Sequence, residues 1–264
     1  MQPWPCVMHE GCITRQNAAM CVNYTPPTRE RLQAAPFSLM PLPEVLWPAE
    51  TFPGYDAPLM VRVGAAGRHD LAPRCVPARF GLVPRWSEDA AHVRTLSRHT
   101  TNARSETVAV KPSFRHPWRE RRWALAPMDH FFEPCWETGQ AVRWRITRAD
   151  GQSCAAAALW EHWSDPASGE VVTSFTLLTV NADAHPLMAR MHRPGEEKRM
   201  PVLLAPAQFE AWLHASDEAA HALLHSGRLV PLAGTPVPRH PPEHLQQPRH
   251  RPPVPPQDGT LSLF

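Results

Sequence analysis

Lysine is almost missing from this chain. Lys111 and Lys198 are its only two, and every other basic residue is arginine. Basic and acidic residues nearly cancel, 27 against 25, for a formal net charge of +2. That balance excludes the broad cationic field of a protein that coats nucleic acid nonspecifically. A local arginine groove stays open, because a guanidinium grips phosphate through two parallel hydrogen bonds. No apolar run approaches the roughly 18 residues needed to cross a membrane. Residues 1–20 lack the basic and apolar regions of a secretory signal. Cysteines stand only at 6, 12, 21, 75, 135 and 154 of 264 positions. They are too sparse for a disulfide framework, so a reducing cytoplasm is the expected compartment. Glycine is scarce as well, with 12 residues.

Proline is in excess, with 32 residues, more than twice the usual frequency of about 5%. Proline is excluded from helix interiors and central strands. A coiled coil or a simple helical bundle is therefore ruled out, and a loop-broken fold is expected. Ten of the prolines fall within 231–256, in a stretch with too little apolar content to order itself. The chain divides on this reading into a leader (1–19), one working domain (20–230) and a Pro/His-rich tail (231–264).

Within the domain, short apolar runs mark strands at 59–63, 79–84, 123–127, 154–160 and 175–180. Residues 131–133 and 141–147, joined through Gly139, read as a hairpin. Thr25 before Pro26 reads as the cap of a short helix reaching about residue 34. A Pro-rich loop is expected over 41–58 and a polar loop from 84 to about 100. Residues 205–213 and 217–224 read as helices, the second capped by Ser216. The expected class is α+β, β-rich, with peripheral helices.

Four short segments can carry chemistry. Cys21 follows Met20. Translation starting at Met20, or removal of the leader, makes Cys21 the first residue. Its amine and thiol then sit on adjacent carbons, a 1,2-aminothiol that condenses with aldehydes. The α-amine, with a pKa of about 7.7–8.0, is partly neutral at pH 7. Taken alone, Cys21 reads equally well as a small core hydrophobe. The run Asn102-Ala103-Arg104-Ser105-Glu106-Thr107 offers hydrogen-bonding groups and a guanidinium, but also fits a helix start. Glu133, flanked by Phe131 and Phe132, suits a general acid/base if it faces inward; facing outward it is a solvated strand residue. His192 opens a charged Pro-Gly loop that returns to an apolar strand at Met200–Leu204. Cys6, His9 and Cys12 are too few, on too irregular a leader, to argue for a metal. No metal or cofactor is called for.

The order of these segments is more specific than any one of them. Met20-Cys21, Phe80-Gly81-Leu82-Val83-Pro84-Arg85-Trp86, the Asn102–Thr107 run, Lys111-Pro112-Ser113-Phe114-Arg115, Phe131-Phe132-Glu133 and Arg199-Met200-Pro201-Val202 follow one another. Together they resemble the SOS-response-associated peptidase (SRAP) family over about residues 20–215. The resemblance implies a barrel-like, β-rich α+β fold and a protein whose N-terminal Cys crosslinks to abasic sites in single-stranded DNA. By motif position it makes Cys21 the nucleophile and Glu133 and His192 the proton-moving pair. It places Asn102 and Arg104 on the DNA and abasic site. Arg85, Trp86 and Arg199 are added as DNA contacts, Trp86 as a stacking face.

Three departures stand out. Val22-Asn23 replaces the family's usual Gly-Arg after the Cys. His130-Phe131-Phe132-Glu133-Pro134 replaces Gly-Phe-Tyr-Glu-Trp. Extra residues separate His192 from Arg199, which leaves His185 as a rival histidine. The expected partner is single-stranded DNA bearing an abasic site, bound by a monomer, with no membrane involved. Two other readings of the same residues are a thiol peptidase acting on itself or other proteins, and a non-catalytic single-strand-binding module.

Overall fold

A computed structural model describes residues 22–38, 41–62 and 73–237. Cys21, the leader and the segment beyond 237 lie outside the described residues. Among the described residues, twelve strands form two sheets. Strands β2 (Asp56–Val61), β3 (Arg74–Phe80), β5 (Trp123–Met128), β8 (Cys154–Ser164) and β9 (Val171–Asn181) close on themselves in the order β9-β3-β2-β5-β8, with β8 pairing back to β9. This is a five-stranded barrel within an α+β fold. Its pairings are antiparallel except β3–β9. Closure leaves these five strands without a free edge.

Three short strands decorate the long barrel strands, two on the C-terminal half of β9 and one on the N-terminal end of β8. β4 (Asn102–Arg104) runs parallel to β9, with Arg104 opposite Thr179. β10 (Arg199–Pro201) is antiparallel to β9, with Pro201 opposite the same Thr179. β11 (Leu203–Leu204) pairs with β8. The second sheet has the order β1-β6-β7-β12, from β1 (Tyr24–Thr25), β6 (His130–Cys135), β7 (Val142–Arg148) and β12 (Leu232–Pro236). The expected 131–147 hairpin is its β6–β7 centre.

Side-chain size explains the barrel wall. β8 carries Ala155 to Ala158, facing Ala124 and Ala126 of β5, all fully buried. Small residues let the wall take helical cover. α4 (Phe209–Leu213) and α5 (Asp217–Ser226) pack there, and Trp212 donates through Nε1 to the Ala124 carbonyl at 2.8 Å. Trp212 is fully buried, so truncating it to Ala would cost about 3–5 kcal/mol. Trp123 answers by donating to the Ala215 carbonyl at 2.8 Å. Ser216 caps α5 as expected, accepting from the Ala219 amide.

Several boundaries differ from the sequence reading. The first helix, α1, is Arg29–Gln33 and is capped by Thr28, because Thr25 is already spent pairing with His130 in β1. The strand expected at 79–84 ends at Phe80; Gly81, at φ 109°, turns the chain out of the sheet. The polar stretch before 100 contains α2 (Ala90–Ser97), capped by Asp89. α3 (Arg115–Arg119) was likewise unexpected. The Asn102–Thr107 run opens as a strand rather than a helix. The expected domain end at residue 230 falls short, since β12 pairs with β7 over five residues. Backbone pairing needs no apolar side chains, so Leu-Ala-Gly-Thr-Pro reads as tail although it is sheet.

Candidate active site

Glu133 lies on β6 opposite Trp144 and is only 2% exposed. It therefore faces inward, where a carboxylate needs partners. One partner is His192, whose Nε2 lies 3.0 Å from Glu133 Oε2, with the imidazole also buried. Residues 59 positions apart meet because the chain after β9 folds back onto the end of β6. Met191 bridges Cys135, and the His192 amide donates to the Pro134 carbonyl at 2.7 Å. This docking holds His192 at φ 61°, a left-handed conformation that costs energy for a residue with a Cβ.

Burial alone pulls the His192 pKa down. The Glu133 hydrogen bond and negative charge outweigh burial, so His192 stays above its ordinary value of 6.5. The arrangement is a water-shielded carboxylate–imidazole pair in which the carboxylate favours the protonated ring. His185, the sequence rival, is committed elsewhere. Its Nδ1 accepts from the Leu187 and Met188 amides, both at 3.2 Å, and its Nε2 meets the Val230 carbonyl at 3.0 Å. It builds the turn that delivers His192.

The loop 193–198 connects His192 to Arg199, and the charge of Lys198 reaches the imidazole. Arg199, expected on DNA, is 2% exposed. Glu106 grips it with both oxygens at 2.9 and 3.0 Å; Glu197 adds a third bond at 2.8 Å and the Thr179 carbonyl a fourth, also 2.8 Å. The other oxygen of Glu197 pairs with the half-exposed Arg104 at 2.7 Å. Asn102, two residues earlier on β4, donates to Thr101 Oγ1 at 3.2 Å. Asn102, Arg104, Arg199 and the loop from His192 are thus gathered along the end of β9. Glu106 and Glu197 were not singled out in sequence. Glu106 sits two residues after Arg104 in the same motif, a usable signal. Glu197 sits in a run of loop charges that reads as solvated.

Arg85 and Trp86 form a second cluster, on the loop leaving β3. Trp86 is 47% exposed and donates weakly to the Pro112 carbonyl at 3.4 Å. Arg85 meets His116 Nε2 at 2.8 Å, and His116 Nδ1 meets the buried Glu161 at 2.6 Å. Glu161 also holds Arg122, which lies over the Trp160 ring. A cavity of about 380 Å³ between α2 and the 165–170 turn, walled by Arg79, Arg94 and Trp163, includes none of the residues marked by the sequence. No group of His, Cys, Asp and Glu among the described residues is arranged to hold a metal ion.

β1 brings the start of the described chain to this site. Tyr24 pairs with Phe131, and the Asn23 carbonyl accepts from the Phe132 amide at 3.0 Å. Asn23 therefore lies antiparallel beside Phe132, the residue before Glu133. Fully buried Tyr24 pins β1 to the barrel through an edge contact with Phe80, whose ring stacks on Phe175.

The family model described as "SOS response associated peptidase (SRAP)" matches residues 20–240. Among solved structures, a crystal structure of a Bordetella bronchiseptica protein superposes with a TM-score of 0.69 at 30% identity, covering 82% of this chain and 99% of that one. A Bacteroides thetaiotaomicron structure, at 20% identity and a TM-score of 0.60, shares the fold. The abasic site processing protein YoqW of Bacillus subtilis is 31% identical over 142 residues, 53% of this chain and 57% of that protein. The abasic site processing protein HMCES of Pongo abelii is 28% identical over 179 residues, 56% of this chain and 48% of its own. The chain thus spans about half the length of these curated relatives. A barrel closed by β8–β9, with a buried carboxylate–histidine pair beside the incoming N-terminal strand, defines its class. The chain belongs to the SOS response associated peptidase (SRAP) family.

Proposed function

We propose that this protein acts on abasic sites in single-stranded DNA, forming a covalent bond to them through Cys21 as its N-terminal residue. The observation that carries this reading is the buried Glu133–His192 pair on the strand that β1 enters in register. Cys21 is bonded to Val22, one step before Asn23, so its Cα lies within about 7 Å of the Asn23 Cα. The relatives named as abasic site processing proteins support the same substrate.

The chemistry balances without a cofactor. The ring-opened abasic sugar presents an aldehyde. The neutral Cys21 amine adds to its carbon, and the resulting carbinolamine loses water to give an imine. The thiol then adds across the C=N bond: sulfur bonds to carbon, and the nitrogen takes the proton. The product is a thiazolidine and one released water. The Glu133–His192 pair supplies the proton that helps hydroxide leave and can take one back. Arg104, Asn102, Arg85 and Trp86 hold phosphate and base; Arg199 acts through Glu197 and Glu106 rather than by reaching solvent. Because the ring is stable, the protein works stoichiometrically, as a shield over the lesion.

The test uses protein beginning at Cys21 and an oligonucleotide with one abasic site. A denaturation-resistant band is expected, and it is lost in Cys21→Ala. Intact mass of protein made from its own gene should start at Cys21; Met1 retained on crosslinking-competent protein would sink the mechanism. A cysteine beside a carboxylate–imidazole pair also fits a thiol peptidase. Peptide cleavage without a crosslinked band would favour that reading.

A further inference from the structure

Arg143 lies outside every motif named above, yet it is tied to the strand that leads from Cys21. It stands on β7 opposite Pro134. Its Nη2 donates to Asn23 Oδ1 at 2.6 Å and to Glu50 Oε2 at 2.7 Å. Its guanidinium carbon lies 3.3 Å above the Phe132 ring centroid. A planar cation on an aromatic face, with one nitrogen tied to two acceptors, has little freedom left. Asn23 is itself 4% exposed, and its Nδ2 donates to the Thr51 carbonyl at 3.3 Å. Asn23 is therefore held from three sides: by Phe132 through its backbone, by Thr51, and by Arg143.

Resting on the function proposed above, we propose that Arg143 is a positioning residue for the Cys21 nucleophile, acting through Asn23. β1 is only two residues long, so its ladder alone sets direction poorly. The Arg143–Asn23 bond supplies a fixed point two residues from the reacting amine. A near-attack geometry is what such a contact preserves; a shift of about 1 Å can cost 100-fold in rate. Glu50 neutralises the guanidinium, which favours a role within the protein over a phosphate contact.

The experiment measures the single-turnover rate of crosslinking to abasic single-stranded DNA, and separately the Kd for the same oligonucleotide without the lesion. Arg143→Ala and Asn23→Ala should each slow crosslinking roughly 10- to 100-fold, with Kd unchanged. The loss in the double variant should be far less than additive, its rate close to that of the slower single one, since both remove the Arg143–Asn23 bond they share. Arg143→Lys keeps the charge but not the planar group lying on Phe132, and should rescue little. Should Arg143→Ala fail to fold, as judged by its melting curve, Asn23→Ala breaks the same bond from the other end. A wild-type rate in a folded Asn23→Ala, or additive losses, overturns the proposal. So does a Kd loss matching the rate loss, with a shallower salt dependence, which would mark Arg143 as a phosphate contact. Absence of crosslinking in the parent protein would instead overturn the functional reading.

Discussion

At the residue scale the decisive feature is one bond between two buried ionisable groups. Burial penalises the charge on His192, and Glu133 is the main group that reverses that penalty, with a smaller contribution from the Glu197 backbone. The pair thus makes a prediction with a sign. Glu133→Gln removes the hydrogen bond to a carboxylate and its charge, leaving burial and Lys198, which lower the His192 pKa, against only the weaker Glu197 backbone bond, which raises it. Crosslinking should rise with pH as the Cys21 amine becomes neutral, near 7.7–8.0, and fall once His192 loses its proton. In Glu133→Gln the alkaline fall should move to lower pH and the maximal rate should drop. A rate–pH profile checks this, and an unmoved alkaline limb would rule out the pair as proton source. The stability sign follows the same shift. Because the folded His192 value is raised, its contribution is complete below about 6.5 and is lost as pH rises through the folded value.

At the element scale, short pieces of chain decide what the arginines can do. The loop 193–198 lends one carboxylate, Glu197, to both Arg104 and Arg199. Burial works to raise the Glu197 pKa, but the Arg199 bond and charge win and keep it low, so it is anionic at neutral pH. It occupies Arg104 as a phosphate would. Glu197→Gln should tighten single-stranded DNA binding by up to about fivefold, the worth of an exposed ion pair. It should also steepen the log K against log salt slope by roughly 0.7, one added phosphate contact on a single strand. Arg199 keeps its bidentate hold from Glu106, so the melting temperature should hardly move; weaker DNA binding would show that Glu197 is not the competitor. Gly81 is the second such element. A Cβ there would lie 2.3 Å from the Ser97 carbonyl oxygen at the end of α2, and its φ is 109°. Gly81→Ala should cost roughly 2–5 kcal/mol by strain plus overpacking, read by denaturant unfolding. These cases also show what the sequence could reveal. The apolar runs of β5, β8 and β9 were legible because burial on both faces leaves continuous hydrophobic stretches. Glu133 was legible as a candidate through its apolar neighbours, but the way it faces stayed open in sequence and is decided by its burial. α2 was not, since Ala-Ala-His-Val-Arg-Thr-Leu-Ser buries only Val93 and Ser97. Glu197 and the Arg143–Asn23 bond were not, since their partners lie 93 and 120 residues away and local pattern carries no trace of such distances.

For the whole molecule, the barrel sheet carries Asn102, Arg104 and Arg199 along β9, and the β1-β6-β7-β12 sheet carries Glu133. The two are fastened by Tyr24 on Phe80 and by β6 following β5 through Asp129. The outer face of that sheet is crowded with positive charge near His130. Burial first, then Arg145, lower the His130 pKa to about 4, with Arg143 and Arg31 adding and Glu50 opposing. An unfolded chain takes up a proton on this histidine near pH 6.5, whereas the folded protein refuses it until about 4. The unfolded state therefore binds more protons across that window, and stability falls as pH drops from about 6.5 to about 4. Asp129 and Asp56 work the other way, since burial raises both above 3.8 despite Arg31 and Arg79. Their folded forms take up protons first, which returns some stability at the acid end. Comparing the parent with His130→Gln isolates the histidine from them. The variant should hold its melting temperature better than the parent between pH 6.5 and 4, and the two curves should run parallel above pH 7. Equal losses in both proteins would mean that acid unfolding begins elsewhere. A sheet that stays folded at pH 5 in the variant should also keep β1 docked, and with it a crosslinking rate limited only by protonation of the Cys21 amine.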